Sequence, residues 1–186
     1  VWRTIIVEYK DFYHLLCPEL YLRSVFDLPI DHLKELGIRG LIFDLDNTLL
    51  NWNAYEVTPE AKELFIRLQD AGFLSCLVSN NKRDRVEAVA RVLDLPAISK
   101  ARKPRRRAFR QALATLGTTK EETAVIGDQL FTDVLGGNRL GLYTILVMPL
   151  SKTEFFGTRM VRSLERFVLG RLIQRGFLEE PDMEGP

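Results

Sequence analysis

Two aspartates two residues apart, Asp44 and Asp46, follow the apolar run Gly40-Leu41-Ile42-Phe43. A third, Asp128, follows Thr123-Ala124-Val125-Ile126 with only Gly127 between, and Asp133 stands close behind. If these runs are neighbouring strands, the carboxylates converge, and close carboxylates repel one another. A hard divalent cation resolves that repulsion. Mg²⁺ suits a site of a few carboxylates, waters and a substrate phosphate. Lys103 adds a positive charge, and Ser79 with the nearby amides adds donors. Such a set fits a phosphoryl group, whose transfer needs charge neutralisation more than covalent help. A carboxylate can also serve as the nucleophile. A lone Asp-x-Asp is usually a turn former or a helix cap. Four polar strand exits in one order are a stronger signal than any one of them.

The elements that must position these residues are readable as patterns. Besides the two runs above, Phe73 to Val78 and Tyr143 to Met148 are short and nearly continuous in apolar residues, and Leu95 to Ser99 is a weaker run. Such runs fit strands buried on both faces. Thr58-Pro59-Glu60 opens a helix whose Ala61, Leu64, Phe65 and Leu68 repeat at three and four. Val86, Val89, Ala90 and Leu93 mark a second helix. Phe109, Leu113 and Leu116 mark a third, closed by Gly117. Alternating strands and helices predict an α/β fold, a three-layer α/β/α sandwich around a parallel, Rossmann-like sheet. Chemistry in such sheets lies at the carboxyl ends of the strands.

The whole chain has 186 residues, 46% hydrophobic and 27% charged, with a net charge of +1. This excludes a mainly disordered chain and any partner attracted by bulk charge. The expected organisation is a single domain, 1–186, with a core at 38–150. An N-terminal segment, 1–37, and a basic amphipathic helix, 158–178, are additions to it. Cys17 and Cys76 are too few for a disulfide framework or a zinc ribbon. No apolar run reaches the roughly 20 residues of a membrane span.

Asp44-Leu45-Asp46-Asn47-Thr48, Ser79, Lys103 and Gly127-Asp128-Gln129-Leu130-Phe131-Thr132-Asp133 resemble the four motifs of the haloacid dehalogenase superfamily of phosphatases. Val78-Ser79-Asn80-Asn81, Lys100-Ala101-Arg102-Lys103-Pro104 and the run from Gly127 to Asn138 are similar to its YqeG-like branch. That branch contains phosphatidylglycerophosphate phosphatases of bacteria, plastids and mitochondria. The likeness runs from about Leu16 to Phe177. It implies that Asp44 is the nucleophile, forming an aspartyl-phosphate. It implies that Asp46 is the general acid and then the base. By the same resemblance Asp44, the Asp46 carbonyl and Asp128 hold Mg²⁺. Thr48, Ser79, Asn80 and Lys103 hold the phosphoryl group, and Asp133 supports the metal site from behind. The implied reaction is hydrolysis of phosphatidylglycerophosphate to phosphatidylglycerol and phosphate. Neither the segment between Thr48 and Thr58 nor that between Ser79 and Lys103 has room for a cap domain. A capless fold with an open mouth is therefore expected.

Lys100 to Arg110 holds seven basic residues and no acid, and Lys103 lies within it. Arg105, Arg106 and Arg107 fall at a helix start, where cations are disfavoured by about 0.3–1 kcal/mol each. With Arg102 they form a candidate substrate or membrane patch. An anionic phospholipid surface fits it, at about 1 kcal/mol per basic residue, and nucleic acid is the weaker expectation. In the helix at 158–178, Val161, Leu164, Phe167, Val168 and Leu172 are read as one apolar side, with Arg159, Arg162, Arg166 and Arg175 elsewhere. Such a helix can lie in a membrane interface. The aromatic-rich stretch from Phe12 to Phe26 is read either as a second membrane contact or as packing against the domain. Together these readings predict a cytoplasmic protein, or one of an equivalent organelle compartment, peripheral on a membrane and with no obligate protein partner. The alternatives are a capless phosphatase acting on a nucleic-acid end, a phosphoprotein or a soluble phosphate ester, or a non-catalytic adaptor. His14 and His32 lie far from the motifs in sequence and carry no role.

Overall fold

The structure is a computed structural model and describes residues 13–52, 54–151 and 156–181, with residues 156–160 as backbone alone. Its strands are β1 (Leu20–Leu22), β2 (Gly40–Phe43), β3 (Leu74–Val78), β4 (Ala97–Ile98), β5 (Thr123–Gly127) and β6 (Tyr143–Val147). They form one sheet in the order β1-β6-β5-β2-β3-β4, every pair parallel. The helices are α1 (Ile30–Glu35), α2 (Pro59–Asp70), α3 (Arg83–Leu93), α4 (Arg106–Leu116), α5 (Leu135–Asn138) and α6 (Phe156–Gln174). A π-helical turn, Leu130–Val134, leads directly into α5.

The strands are apolar on both faces because both faces are covered. Leu41 and Phe43 of β2 pack with Ala61, Leu64 and Phe65 of α2 and with Val86 and Val89 of α3. Ile42 points the other way, to Ala108, Phe109 and Ala112 of α4. This gives the expected three layers. Helix α2 starts where expected: the Thr58 hydroxyl accepts the Ala61 N–H at 3.2 Å, and Pro59 follows it. Helix α4 stops at Gly117, whose φ of 67° a glycine adopts without strain.

Register brings the site together. Phe43 lies opposite Leu77 of β3 and Ile126 of β5. The exits at Asp44, Ser79 and Asp128 are therefore side by side. Val78 pairs with Ile98 of β4, which draws the segment from Lys100 to Lys103 alongside Ser79. Neither expected insertion point holds a further domain among the described residues.

Of the two readings of the aromatic-rich start, the described residues fit packing against the domain. The aromatic-rich start contributes the edge strand β1, with Tyr21 opposite Leu146. Tyr13 stacks on Phe177 at 6.4 Å, and Arg175 lies 4.7 Å over the Tyr13 ring. Residues 13–26 thus pack on the domain, while Phe12 lies outside the described residues.

Helix α6 differs from the sequence expectation. Leu172 is buried, as expected, but Val161, Leu164 and Phe167 are 40%, 54% and 59% exposed. The inward stripe runs through Arg162, Glu165, Leu169 and Leu172, at helical spacings of three and four. Arg162, expected outside, points in. An ion pair takes the place that apolar counting assigned to Val161 and Leu164. The Arg159 side chain lies outside the described residues.

Candidate active site

Asp44 leaves the carboxyl end of β2 and is 7% exposed. Its Oδ1 accepts from Lys103 Nζ at 2.5 Å, and the same Nζ lies 2.5 Å from Asp133 Oδ1. Lys103 is held in place by Asn80. Asn80 Oδ1 accepts the Lys103 N–H at 2.7 Å, and its amide donates to the Lys103 carbonyl at 3.5 Å. Asn80 therefore acts through Lys103, since its side chain is committed to that peptide. Ser79 is fully buried, and its hydroxyl accepts the Asn81 N–H at 3.1 Å. Thr48 is buried and donates to Asp128 Oδ1 at 3.5 Å.

The turn after β2 is shaped by Asn47, which has φ 61° and accepts the Trp52 N–H at 3.3 Å. Asp46 projects from this turn toward β3. Its Oδ2 accepts from Asn81 at 3.1 Å, and its Oδ1 lies 2.7 Å from Arg85 Nη2. Arg85 is 3% exposed and lies 5.5 Å under the Tyr55 ring. Burial pushes the Asp46 carboxyl up, against the opposing pull of Asn81 and Arg85. A raised carboxyl keeps its proton closer to neutral pH, which is what a general acid needs.

Asp128 and Asp133 come from the far side of β5. Asp133 Oδ2 accepts from the Gln129 N–H at 3.3 Å and from Thr132 at 3.1 Å. Gly127 makes this possible: a methyl group there would collide with the Asp133 carboxyl. Asp128 is capped by Arg162 of α6, which donates to its carbonyl at 2.5 Å and pairs with its Oδ2. Glu165 braces Arg162 at 3.1 Å and accepts the Phe131 N–H at 3.1 Å. Burial pushes Asp128 and Glu165 up, with Arg162 opposing.

Oxygens of Asp44, Asp128 and Asp133 all lie within 4.8 Å of one another, and all three residues are buried. Three buried carboxylates exceed the two cations, Lys103 and Arg162, that touch them. An all-oxygen donor set of this kind fits a hard divalent cation. The Asp46 carboxylate lies outside the group, facing Asn81 and Arg85. Of the basic run, only Lys103 enters the site. Arg102, Arg105, Arg106 and Arg107 are exposed, and Lys100, Arg102, Arg105 and Arg107 line a separate cavity of about 430 Å³.

Asn81, Arg85, Arg162 and Glu165 were not singled out as site residues from sequence. Arg85 precedes Val89 by four residues and so shares its inward face, which was the one available signal. Nothing in the sequence around Arg162 and Glu165 sets them apart from a solvated pair.

A parallel sheet with an aspartate pair at the end of its central strand, a lysine from the β4 exit and an acidic turn after β5 defines a hydrolase of the haloacid dehalogenase type. Family comparison agrees. A haloacid dehalogenase-like hydrolase model matches residues 41–101, and a HAD-hydrolase-like model matches residues 100–149. The probable phosphatase YqeG of Bacillus subtilis is 41% identical over 87% of this chain and 94% of its own. The chain belongs to the haloacid dehalogenase-like hydrolases. Phosphatidylglycerophosphate phosphatase 1 of Arabidopsis thaliana is 27% identical over 93% of this chain, which spans 52% of that protein. The cobalt-bound deoxy-D-mannose-octulosonate 8-phosphate phosphatase of Haemophilus influenzae shares the fold. Its TM-score is 0.51 at 17% identity, covering 74% of this chain and 90% of that one.

Proposed function

We propose that this chain is a phosphatase that removes the terminal phosphate of phosphatidylglycerophosphate at a membrane surface. The observation that carries the phosphatase reading is the buried group of Asp44, Asp128 and Asp133, with Lys103 on Asp44 and Asp133 and with Asp46 two residues along the chain. Likeness to the probable phosphatase YqeG supports the reaction, and likeness to the plant phosphatidylglycerophosphate phosphatase supports the lipid substrate.

In this reading an Asp44 carboxylate oxygen attacks phosphorus, and the bond from phosphorus to the leaving oxygen breaks. Asp46 gives its proton to that oxygen, so the product leaves as a neutral alcohol. Asp46 then takes a proton from water as the water oxygen attacks phosphorus. Asp44 is released as a carboxylate, together with phosphate. Lys103 pairs with the phosphoryl oxygens, and Thr48 and Ser79 offer their hydroxyls. Asp44, Asp128 and the Asp46 carbonyl would hold Mg²⁺, which supplies charge neutralisation for those oxygens. Asp133 keeps Lys103 and the Gln129 amide in place.

A phosphate-release panel tests this, run with phosphatidylglycerophosphate, a 5′-phosphorylated oligonucleotide, a phosphopeptide, a sugar phosphate and p-nitrophenyl phosphate. The lipid should give the highest kcat/KM. Asp44→Asn should remove turnover on every substrate, by at least about 10³-fold. Preference for any other member of the panel would reject the lipid reading, and activity in Asp44→Asn within tenfold of wild type would reject the nucleophile.

A further inference from the structure

Beside Asp128, on the side away from β2, the molecule holds an open cavity of about 680 Å³. It lies between the carboxyl end of β6, Tyr21 of β1 and the inner side of α6. Its lining is mostly hydrocarbon, from Leu130, Leu146, Val147, Met148 and Leu169. Ser151, Arg162, Ser163, Glu165 and Arg166 add polar groups; Arg162 is paired with Asp128 and Glu165, and Arg166 donates to the Ser163 hydroxyl at 3.4 Å. Volume and lining are those of a ligand site, about 300–1,000 Å³ and mainly apolar with a few polar groups.

Three features narrow the ligand. Among the described residues, the buried apolar cluster under α6 is Leu130, Val134 and Leu146, with Tyr21, Val168 and Leu169 packed against it. Beside this cluster the described residues leave the cavity open. Next, Asp128 is shared: it lines this cavity and belongs to the carboxylate group, so the cavity borders the reacting centre, with the Arg162 cap on Asp128 at the boundary. Last, the outer side of the same helix exposes Val161, Leu164 and Phe167, and Leu150 nearby is 39% exposed. A sugar phosphate or a nucleotide would set hydroxyls against Leu130, Leu146, Met148 and Leu169, where an acyl chain gains from apolar burial. An amphiphile with an anionic head matches both the hydrocarbon lining and Arg166.

We infer that this cavity receives the glycerol backbone and first acyl carbons of an anionic phospholipid, with Arg166 meeting its phosphodiester. The inference rests on the proposed lipid phosphatase reading and assigns the part of the substrate that is not cleaved. The remaining acyl carbons exceed the cavity and run on into the bilayer, where Val161, Leu164 and Phe167 enter beside them.

The test uses the full chain and monomeric substrates below their micelle concentration. These are deacylated, dihexanoyl and dioctanoyl phosphatidylglycerophosphate. In wild type kcat/KM should rise at least tenfold from the deacylated to the dioctanoyl form, because buried methylenes contribute. Met148→Trp fills the cavity, and that ratio should fall to within about twofold. Leu169→Ala enlarges it, and the preference should move toward longer chains. Taking ratios within each variant removes any loss from imperfect folding. A second arm measures binding of dihexanoyl phosphatidylglycerol by calorimetry. Binding by wild type and at least tenfold weaker binding by Met148→Trp are expected. If that holds while phosphatidylglycerophosphate is never hydrolysed, the cavity stands and the substrate reading fails. Hydrolysis at equal kcat/KM whatever the chain length, with binding unchanged in Met148→Trp, would overturn the cavity and leave the substrate reading intact.

Discussion

Lys103 shares one ammonium between two carboxylates, at 2.5 Å from each. It does not fully offset the burial of Asp133. Burial pushes the Asp133 carboxyl up to about 6, even with Lys103 opposing. Asp46, Asp128 and Glu165 are also pushed up, each chiefly by burial. A carboxyl raised in the folded state holds its proton more tightly there than in the unfolded chain. Its contribution to stability is complete below its unfolded value, near 4, and is lost as pH rises through the folded value. All four groups act in the same direction. In chelator, the urea midpoint should therefore fall as pH rises from about 4 to about 6. Asp133 contributes to this fall in the same direction as the other three. Asp133→Asn should flatten much of the slope, and adding Mg²⁺ at pH 7 should raise the wild-type midpoint, since a ligand of the folded state stabilises it. Equilibrium urea titrations at several pH values decide the matter. A midpoint that climbs over that window would contradict the sign.

At the scale of elements, α2 shows how local signals fix a boundary. Thr58 caps the helix, and Ala61, Leu64, Phe65 and Leu68 are all buried. Thr58→Ala should cost about 1 kcal/mol, with a range of about 0.5–2. Thermal or urea unfolding measures it, and activity should be unchanged because α2 contributes no group to the site. No loss of stability would mean that packing alone sets the start of α2. The central strands were legible for the same kind of reason. Parallel strands covered on both faces read as continuous apolar runs; β2, β3 and β6 fall inside those runs, and β5 extends past its run to Gly127. Strand β1 did not announce itself, because three half-buried residues at an edge carry no pattern of their own. The site divides likewise. Asp44, Ser79, Lys103 and Asp128 were visible because each follows a strand. Arg85, Arg162 and Glu165 reach the site from helix faces, and only tertiary packing decides whether a charged residue on a helix turns inward. On α6 the decision went to an ion pair, because Asp128 and the Phe131 N–H need partners there.

For the whole molecule, the site opens at the carboxyl edge of the sheet between two flanks of different chemistry. On the β3–β4 flank, Arg105, Arg106 and Arg107 are exposed at the start of α4, with no acid in its first turn. On the β6–β1 flank lies α6 with its exposed Val161, Leu164 and Phe167. No helix of the described residues is long and apolar enough to cross a membrane. If the proposed substrate is drawn from an anionic bilayer, the basic flank brings the protein to the surface and α6 keeps it there. Replacing Arg105, Arg106 and Arg107 with Glu reverses three charges without touching Asp44, Asp46, Asp128 or Lys103. Binding to phosphatidylglycerol vesicles should weaken at least tenfold. What binding remains should respond less to salt, because the lost attraction is Coulombic and screened over about 10 Å at 0.1 M salt. Hydrolysis of phosphatidylglycerophosphate in liposomes should fall in parallel. Turnover of p-nitrophenyl phosphate should stay within about threefold, since that substrate is free in water. Equal losses on both substrates would mean that the arginines act on the site itself. Undiminished activity on liposomes would leave the basic flank with no part in docking, and would place the whole membrane contact on α6.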